Sequence, residues 1–514
     1  MTTRTARSGP IQVSSKTLGH ISAGLYRSPA SALKELVSNS FDADATTVNI
    51  TTNRPSFDVV TCSDNGDGMT FDSFVSLMEG GIGDSDKRRG PPVTKRGRPV
   101  IGRIGIGLLA LAQICHEFQV ISHHRESRTA FRATVRLIDY LQETIDETES
   151  APSKVYEVGE YECTPVRYEA SAAGMSVVAS DVKRGFVKRF REHGGKPVPR
   201  DFKKFITDVS TYGNRSVRML GDYPNMIWGL SIACPIPYLE KGPVIGKQVL
   251  PRVKKALLDY NFEVIVDGVR LRKPILLPNP ASSSQERFTY NVFELDEDSQ
   301  VYGQKLKFVG YIFAQGGKSI YPAELRGILV RIKNVAIGTY DESLLGYPIA
   351  EGPRFGWLSG EIYVEDGLED ALNVDRDSFN EMHPHYISLQ DILHEKLHDE
   401  VFPKVIKGIA ERRGFRQERQ RREYEEQFSR LVSDVLKRPY QIELSEARVT
   451  DRVVIDDDRG KITVDNTAPW PRRQDRRDIA QKIVIAYRLS ERAGSIEEQH
   501  ETFYTLLQEI FKIW

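Results

Sequence analysis

Early in the chain three short segments follow one another: Glu35-Leu-Val-Ser-Asn39-Ser-Phe-Asp42-Ala43, Asp64-Asn-Gly66-Asp-Gly68-Met69-Thr70 and Gly102-Arg-Ile-Gly105-Ile106-Gly107. Each constrains the backbone in a different way. The first predicts a helix from Ala30 to Ala43, because apolar and polar residues recur at helical spacing and Pro29 suits a first turn. Glu35, Asn39 and Asp42 then share one face. The second follows the alternating apolar run Phe57-Asp-Val-Val-Thr-Cys62, which predicts a strand with Asp64 at its end. Its glycines allow turns and a close approach that a Cβ would block. The third opens a predicted helix from Ile106 to Ile114, whose first amides are unpaired and face whatever anion occupies the glycine-rich turn.

Taken singly, each segment has an ordinary explanation. Polar residues at i, i+4 are common on helix surfaces, and Asp-Asn-Gly is a common hairpin turn. Gly105-Ile-Gly107-Leu-Leu-Ala110 matches the dinucleotide fingerprint, but the stretch before it, Lys87 to Pro99, is a basic Gly/Pro loop and not the buried strand of a βαβ unit. No Gly-x-x-x-x-Gly-Lys-Ser/Thr run occurs, which excludes a P-loop. The combination is more specific. It offers a carboxylate to orient a water, an amide oxygen about one turn away to ligate Mg²⁺, an acidic acceptor for an exocyclic amine such as adenine's, and a glycine turn for phosphates. Those are the parts of a Mg-ATP site.

Together with the preceding His20-Ile-Ser-Ala-Gly-Leu-Tyr-Arg-Ser-Pro29, the first segment resembles the opening of MutL repair proteins. Asp64 to Thr70 and Ile101 to Gly107 resemble the forms found in the ninety-kilodalton heat-shock chaperones and the MORC proteins. The chain is thereby identified as a member of the GHKL ATPase superfamily, to which gyrase B subunits also belong. The resemblance implies ATP and Mg²⁺ as cofactors and a role for each matching position. Glu35 is implied as the general base, Asn39 as the Mg²⁺ ligand, Asp64 as the adenine contact and Met69 as an adenine-packing residue. Gly102, Gly105, Ile106 and Gly107 form the implied phosphate-facing turn, and Asp42, Ala43, Gly66 and Gly68 complete the nucleotide-binding set. The family carries a Gly-Thr pair on a later strand; here Gly174-Met175-Ser176-Val177 stands in that place, with Ser176 as the substitute hydroxyl. Residues 80–100, glycine-rich and strongly basic, correspond to a lid that orders over the triphosphate, with Lys87 and Arg88 neutralising phosphate charge.

A chain of 514 residues exceeds what one core usually covers. The expectation is an α+β fold: a Bergerat-type ATP-binding α/β sandwich over residues 1–235, a transducer-like α+β domain over 236–384, and a mainly helical region over 385–514 for dimerisation or client binding. The first boundary is set by the prolines and glycines of Tyr223 to Pro243. Strand-like runs begin at Phe262, Leu306, Gly327 and Gly360. Leu372-Asn-Val-Asp-Arg376-Asp resembles the chaperone middle-domain segment whose arginine reaches the γ-phosphate, so Arg376 is implied as a catalytic sensor. The alternatives are a local ion pair of Arg376 with Asp375 or Asp377, and Lys333 as the next candidate cation. His394-Glu-Lys-Leu-His398 fits a zinc-protease expression, but Lys396 and Asp399 place charge where such helices are apolar, and no third ligand is evident.

Lys plus Arg equals Asp plus Glu at 71 each, which rules out a global basic field for nucleic acid. Local clusters at Arg412 to Arg422 and Pro471 to Arg477 fit either phosphate contacts or solvated helix faces. Cys62, Cys115, Cys163 and Cys234 are widely spaced and form no paired-ligand pattern, as reduced thiols would. With no membrane-length apolar run and no signal-like core in Met1 to Pro10, a cytoplasmic protein is expected. The implied function is a nucleotide-gated homodimer with chaperone-like action on a protein client. The alternatives are a DNA-directed clamp of MutL or MORC type and a regulatory nucleotide-binding module with little turnover.

Overall fold

The computed structural model describes residues 5–14, 28–81, 93–102, 107–137, 155–211, 216–239, 253, 261–274, 290–315, 319–373, 377–437, 439–445, 453–456, 458–465, 483 and 485–513. The chain divides into two compact units, Met1–Val405 and Ile406–Trp514. The first unit holds a nine-stranded and a five-stranded sheet.

In chain order the strands of the large sheet are β1 (Arg7–Ser14), β2 (Thr47–Thr51), β3 (Val60–Asp64), β4 (Cys115–His124), β5 (Thr129–Leu137), β6 (Val155–Val166), β7 (Gly174–Val182), β8 (Glu263–Val266) and β9 (Val269–Arg270). They lie in the order β1-β6-β5-β4-β7-β3-β2-β8-β9 and pair antiparallel except at β2 and β8, which run parallel. Helices α1 (Pro29–Asp42), α2 (Phe71–Ser76), α3 (Arg184–His193), α4 (Phe202–Thr211) and α5 (Asp222–Ala233) accompany this sheet.

Helix α1 starts where the sequence places it. Pro29 stands at its first turn, and the Ser31 amide donates to the hydroxyl of the N-cap residue Ser28 at 3.2 Å. Its apolar stripe of Ala32, Leu33, Leu36, Val37 and Phe41 is buried, each large side chain contributing about 1.5–3 kcal/mol. On α5, a Cβ built at Gly229 would stand 3.1 Å from Ala30 Cβ, so the two helices meet closely at that point.

The strand expected from Phe57 begins only at Val60. Phe57 has φ of 54° and closes a turn whose amides at Ser56 and Phe57 donate to Asn53 O. Its ring is buried from that turn, 5.4 Å from the Phe190 ring centroid. The sheet also extends beyond the expected boundary near Tyr223 to Pro243, since β8 and β9 lie at its edge. Asp267 fastens them there. Its carboxylate accepts from the Thr52 amide (2.8 Å), the Thr52 hydroxyl (2.6 Å) and the Tyr223 hydroxyl (2.8 Å).

The second sheet comprises β10 (Tyr290–Val301), β11 (Gln304–Gln315), β12 (Gly327–Ile332), β13 (Val335–Asp341) and β14 (Leu358–Asp366), in the order β10-β11-β14-β12-β13. The run from Gly327, expected as one strand, breaks at Lys333 and Asn334, whose φ values of 51° and 66° make a two-residue hairpin turn. Helix α6 (Pro384–Lys396) follows, and a π-helical turn, Leu397–Val401, joins it to α7 (Phe402–Leu436), which runs on into the second unit. In that stretch His394 Nε2 faces the Leu344 carbonyl at 3.1 Å, and His398 pairs with Asp399. Among the described residues no His, Cys, Asp and Glu cluster has the arrangement of a metal site.

The second unit is mixed. Strands β15 (Gln441–Ser445), β16 (Val453–Asp456) and β17 (Lys461–Asp465) form a small sheet in the order β15-β17-β16, and α8 is Ile496–Ile513. Phe428, Val432, Ile442, Leu444, Ile462, Leu506 and Ile510 make its core. No helix of the described residues is long and apolar enough to cross a membrane.

Candidate functional site

The last two turns of α1 hold the three sequence segments together. Asp42 accepts the Ile101 amide on Oδ1 and the Gly102 amide on Oδ2, both at 2.7 Å. The carbonyl of Ala43 accepts the Asp67 amide at 2.8 Å. Ser40 Oγ lies 2.9 Å from Asp64 Oδ2. A Cβ built at Gly107 would stand 2.7 Å from Asn39 Nδ2, and one at Gly66 would stand 2.6 Å from the Ala43 carbonyl. Glycine is thus required at position 66, where a Cβ would meet backbone, whereas at position 107 a Cβ would displace only the Asn39 amide.

Glu35 is 7 % exposed and has no hydrogen bond or ion pair among the described residues. Asn39, one turn on, is likewise without a side-chain hydrogen bond among them. A buried polar group without a partner costs stability, and such groups cluster where a ligand or a water supplies the missing contact. The donor set suits Mg²⁺ held mainly by phosphates and water, since that ion usually takes only one or two protein oxygens. It does not suit an all-protein metal cage.

Asp64 ends β3, and its Oδ1 accepts the Gly66 amide at 2.8 Å. Burial pushes its carboxyl above the usual carboxylate range, against the hydrogen bonds from Gly66, Ser40 and Met175. Gly68 has φ of 74°, and the following Met69 amide donates to Ser122 Oγ at 2.7 Å. The half-buried Met69 side chain packs against the core. Ser176 pairs across the sheet with Ser63, their hydroxyl oxygens 2.8 Å apart, one residue before Asp64. Asp64→Asn is expected to weaken ATP binding about tenfold, because an amide presents a donor where the site offers Gly66 N–H and Ser40 O–H. Unchanged affinity in a nucleotide titration would remove Asp64 as the adenine contact that the sequence resemblance implies.

The far end of the expected lid is anchored. Arg98, 6 % exposed, donates to the Ala45 carbonyl at 2.5 Å and to Asn261 O at 2.9 Å, and its guanidinium lies 4.8 Å from the Phe41 ring centroid. Asp44 accepts the Thr94 hydroxyl at 2.5 Å. After the loop, residues expected as an α-helix form a 3-10 helix, Gly107–Gln113. Leu108, Leu109, Ala110 and Leu111 are all buried there, so the segment presents no polar face and runs directly into β4. Lys87, Gly105, Ile106 and Arg376 lie outside the described residues. Asp377, the neighbour of Arg376, forms an ion pair with Lys34 of α1.

The structure brings Lys333 to this site. From the β12–β13 turn its Nζ donates to the Val100 carbonyl at 3.1 Å and lies 3.6 Å from Glu369. Val100 is two residues before Gly102.

Residues 26–164 match the family described as histidine kinase-, DNA gyrase B-, and HSP90-like ATPase. A protein of Herpetosiphon aurantiacus, described as a candidate type II restriction enzyme, HgiDII, is 37% identical over 113 residues, which is 22% of this chain and 18% of that protein. The DNA mismatch repair protein MutL of Ehrlichia chaffeensis is 31% identical over 121 residues, 23% of this chain and 17% of its own length. The chain thus spans under a fifth of these curated relatives. A crystal structure of the N-terminal domain of a DNA repair protein aligns over 75% of this chain and 98% of its own, at 14% identity and a TM-score of 0.37, too loose a likeness to argue from.

Proposed function

We propose that this chain, which carries a GHKL ATPase domain at residues 26–164, hydrolyses Mg-ATP as a nucleotide-gated homodimer directed at DNA. The observation that carries the ATPase reading is the buried Glu35, which has no partner among the described residues, one helical turn from an Asn39 amide that abuts Gly107. In that arrangement Glu35 orients the attacking water and accepts its proton. Asn39 supplies an oxygen to Mg²⁺, Asp64 accepts from the adenine amine, and Asp42 fixes the start of the glycine turn by accepting the Ile101 and Gly102 amides. When bound, Mg²⁺ neutralises charge on the phosphate oxygens.

Both curated relatives are named for action on DNA, which favours a DNA-directed clamp over chaperone-like remodelling of a protein. Steady-state hydrolysis with and without double-stranded DNA, at two salt concentrations, tests this. DNA stimulation that fades at the higher salt supports the clamp. Stimulation by a non-native protein client and none by DNA replaces it with the chaperone reading.

Lys333 is proposed as the second-sheet cation that senses the triphosphate. Lys333→Ala is expected to lower turnover roughly 10²-fold, the scale of one lost charge-stabilising donor, with ADP affinity nearly unchanged. Arg376→Ala, assayed alongside, separates the two candidates: a loss confined to Arg376→Ala assigns the role there.

A further inference from the structure

The β12–β13 turn that carries Lys333 rests on a buried polar cluster that lies beside the proposed site and outside it. Arg331 and Glu361 are 1% and 0% exposed at their side chains, and Arg331 Nε donates to Glu361 Oε2 at 2.5 Å. The other face of the guanidinium donates to the Ile232 carbonyl in α5 at 2.7 Å. Three tyrosine hydroxyls, from Tyr238, Tyr340 and Tyr363, also donate to Glu361. Lys273 is fully buried beside this cluster, its Nζ 4.5 Å over the Tyr238 ring, and its ammonium donates to the side-chain oxygen of Asn334. Asn334 is the other residue of the turn. A buried ammonium is held where its acceptors are, so one end of the two-residue turn is fixed by charge from the core side.

We infer that Lys273 and Asn334 are positioning residues: the buried Lys273 ammonium grips the Asn334 amide and so aims the adjacent Lys333 at the Gly102 turn. The inference rests on the reading of Lys333 as triphosphate sensor. Lys273 and Asn334 touch no nucleotide in this scheme and act only through Lys333. A two-residue turn has few backbone torsions, and both of these are left-handed, so losing the Asn334 tether frees the lysine stem without breaking the hairpin.

Asn334→Gly tests it. Glycine accepts the φ of 66° and removes only the amide that Lys273 holds. The readout is the affinity for a non-hydrolysable ATP analogue relative to ADP, measured on the full chain by nucleotide titration, together with turnover. The expected result is a fall of roughly tenfold in that ratio, the contribution of one charge-assisted hydrogen bond, and a matching loss of turnover. Asn334→Asp, which keeps an acceptor for the ammonium, restores both. In a Lys333→Ala background Asn334→Gly adds nothing further, which a merely structural role would not produce. Lys273→Met provides a second route to the same lost tether should Asn334→Gly fold poorly. A wild-type ratio in Asn334→Gly, or losses that multiply with Lys333→Ala, overturns the positioning role. If Lys333→Ala itself leaves ratio and turnover unchanged, the sensor reading is what fails.

Discussion

Glu35→Gln is expected to lower steady-state ATP hydrolysis by about 10²–10⁴-fold while leaving Mg-ATP affinity within a few-fold of wild type. The substitution keeps the shape of the side chain and removes its capacity to take a proton. Everything assigned to binding lies on other groups: Asn39 against Gly107, Asp64 at the end of β3, and the turn that Asp42 fixes at Gly102. The same change has a stability signature of the opposite sign. A carboxylate that is 7 % exposed and has no partner among the described residues costs folding free energy, and a neutral amide costs less. Thermal unfolding of the nucleotide-free variant should therefore occur at or above the wild-type temperature, the trade expected of a functional group held against stability. Initial rates, a nucleotide titration and a melting curve on one preparation give all three quantities. Hydrolysis equal to wild type removes Glu35 from the mechanism, and a large loss of affinity makes it a binding residue.

What the sequence discloses about this site is what lies on single elements. Helix α1 is legible to within a residue at each end, because the apolar stripe of Leu33, Leu36, Val37 and Phe41 and the Ser28-Pro29 start are local signals. Asp64 is legible because it ends an apolar run. The ties between elements are not. Ser40, Asp44 and Arg98 fasten the segments to one another through partners far away in sequence, and as isolated letters they read as ordinary helix, loop and lid residues. The turn at Lys333 and Asn334 is hidden for another reason: apolar alternation continues through it, and the left-handed conformation falls on a lysine instead of a glycine. Sequence resemblance gives Arg376 precedence as the sensor. Only the fold carries Lys333 to Val100. Likewise β8 and β9 look like the start of a new domain, because prolines and glycines precede them, whereas Asp267 binds them to Thr52 in the first sheet.

The largest expected effect on stability is that of Arg331→Met. Alternation within β12 and β14 suggests that Arg331 and Glu361 stand on a half-wet face, yet both are buried, and removing the arginine takes from the interior Glu361 its ion-pair partner. Breaking a buried pair from one side costs about 3–5 kcal/mol, so the variant should lose that much in chemical denaturation of the first unit at neutral pH. Arg331→Met with Glu361→Gln removes both charges and should recover much of the loss. The pH dependence provides the sharper test. Burial alone would raise the Glu361 carboxyl, but in the wild type Arg331, Lys273 and the tyrosine hydroxyls outweigh it and hold the group far below its usual range. A depressed folded value means that the pair's contribution is complete above the unfolded value of about 4.3 and is lost as pH falls from there towards the folded value. Between pH 8 and pH 5 the pair's contribution in the wild type is therefore flat. In Arg331→Met the burial effect takes over, the carboxyl rises, and protonation relieves the variant as pH drops across the same interval, so the gap between the two proteins narrows. A gap that stays constant from pH 8 to pH 5, or a loss below about 1 kcal/mol, would mean that Glu361 finds other compensation, with Lys273 and the three tyrosine hydroxyls as the remaining groups able to provide it.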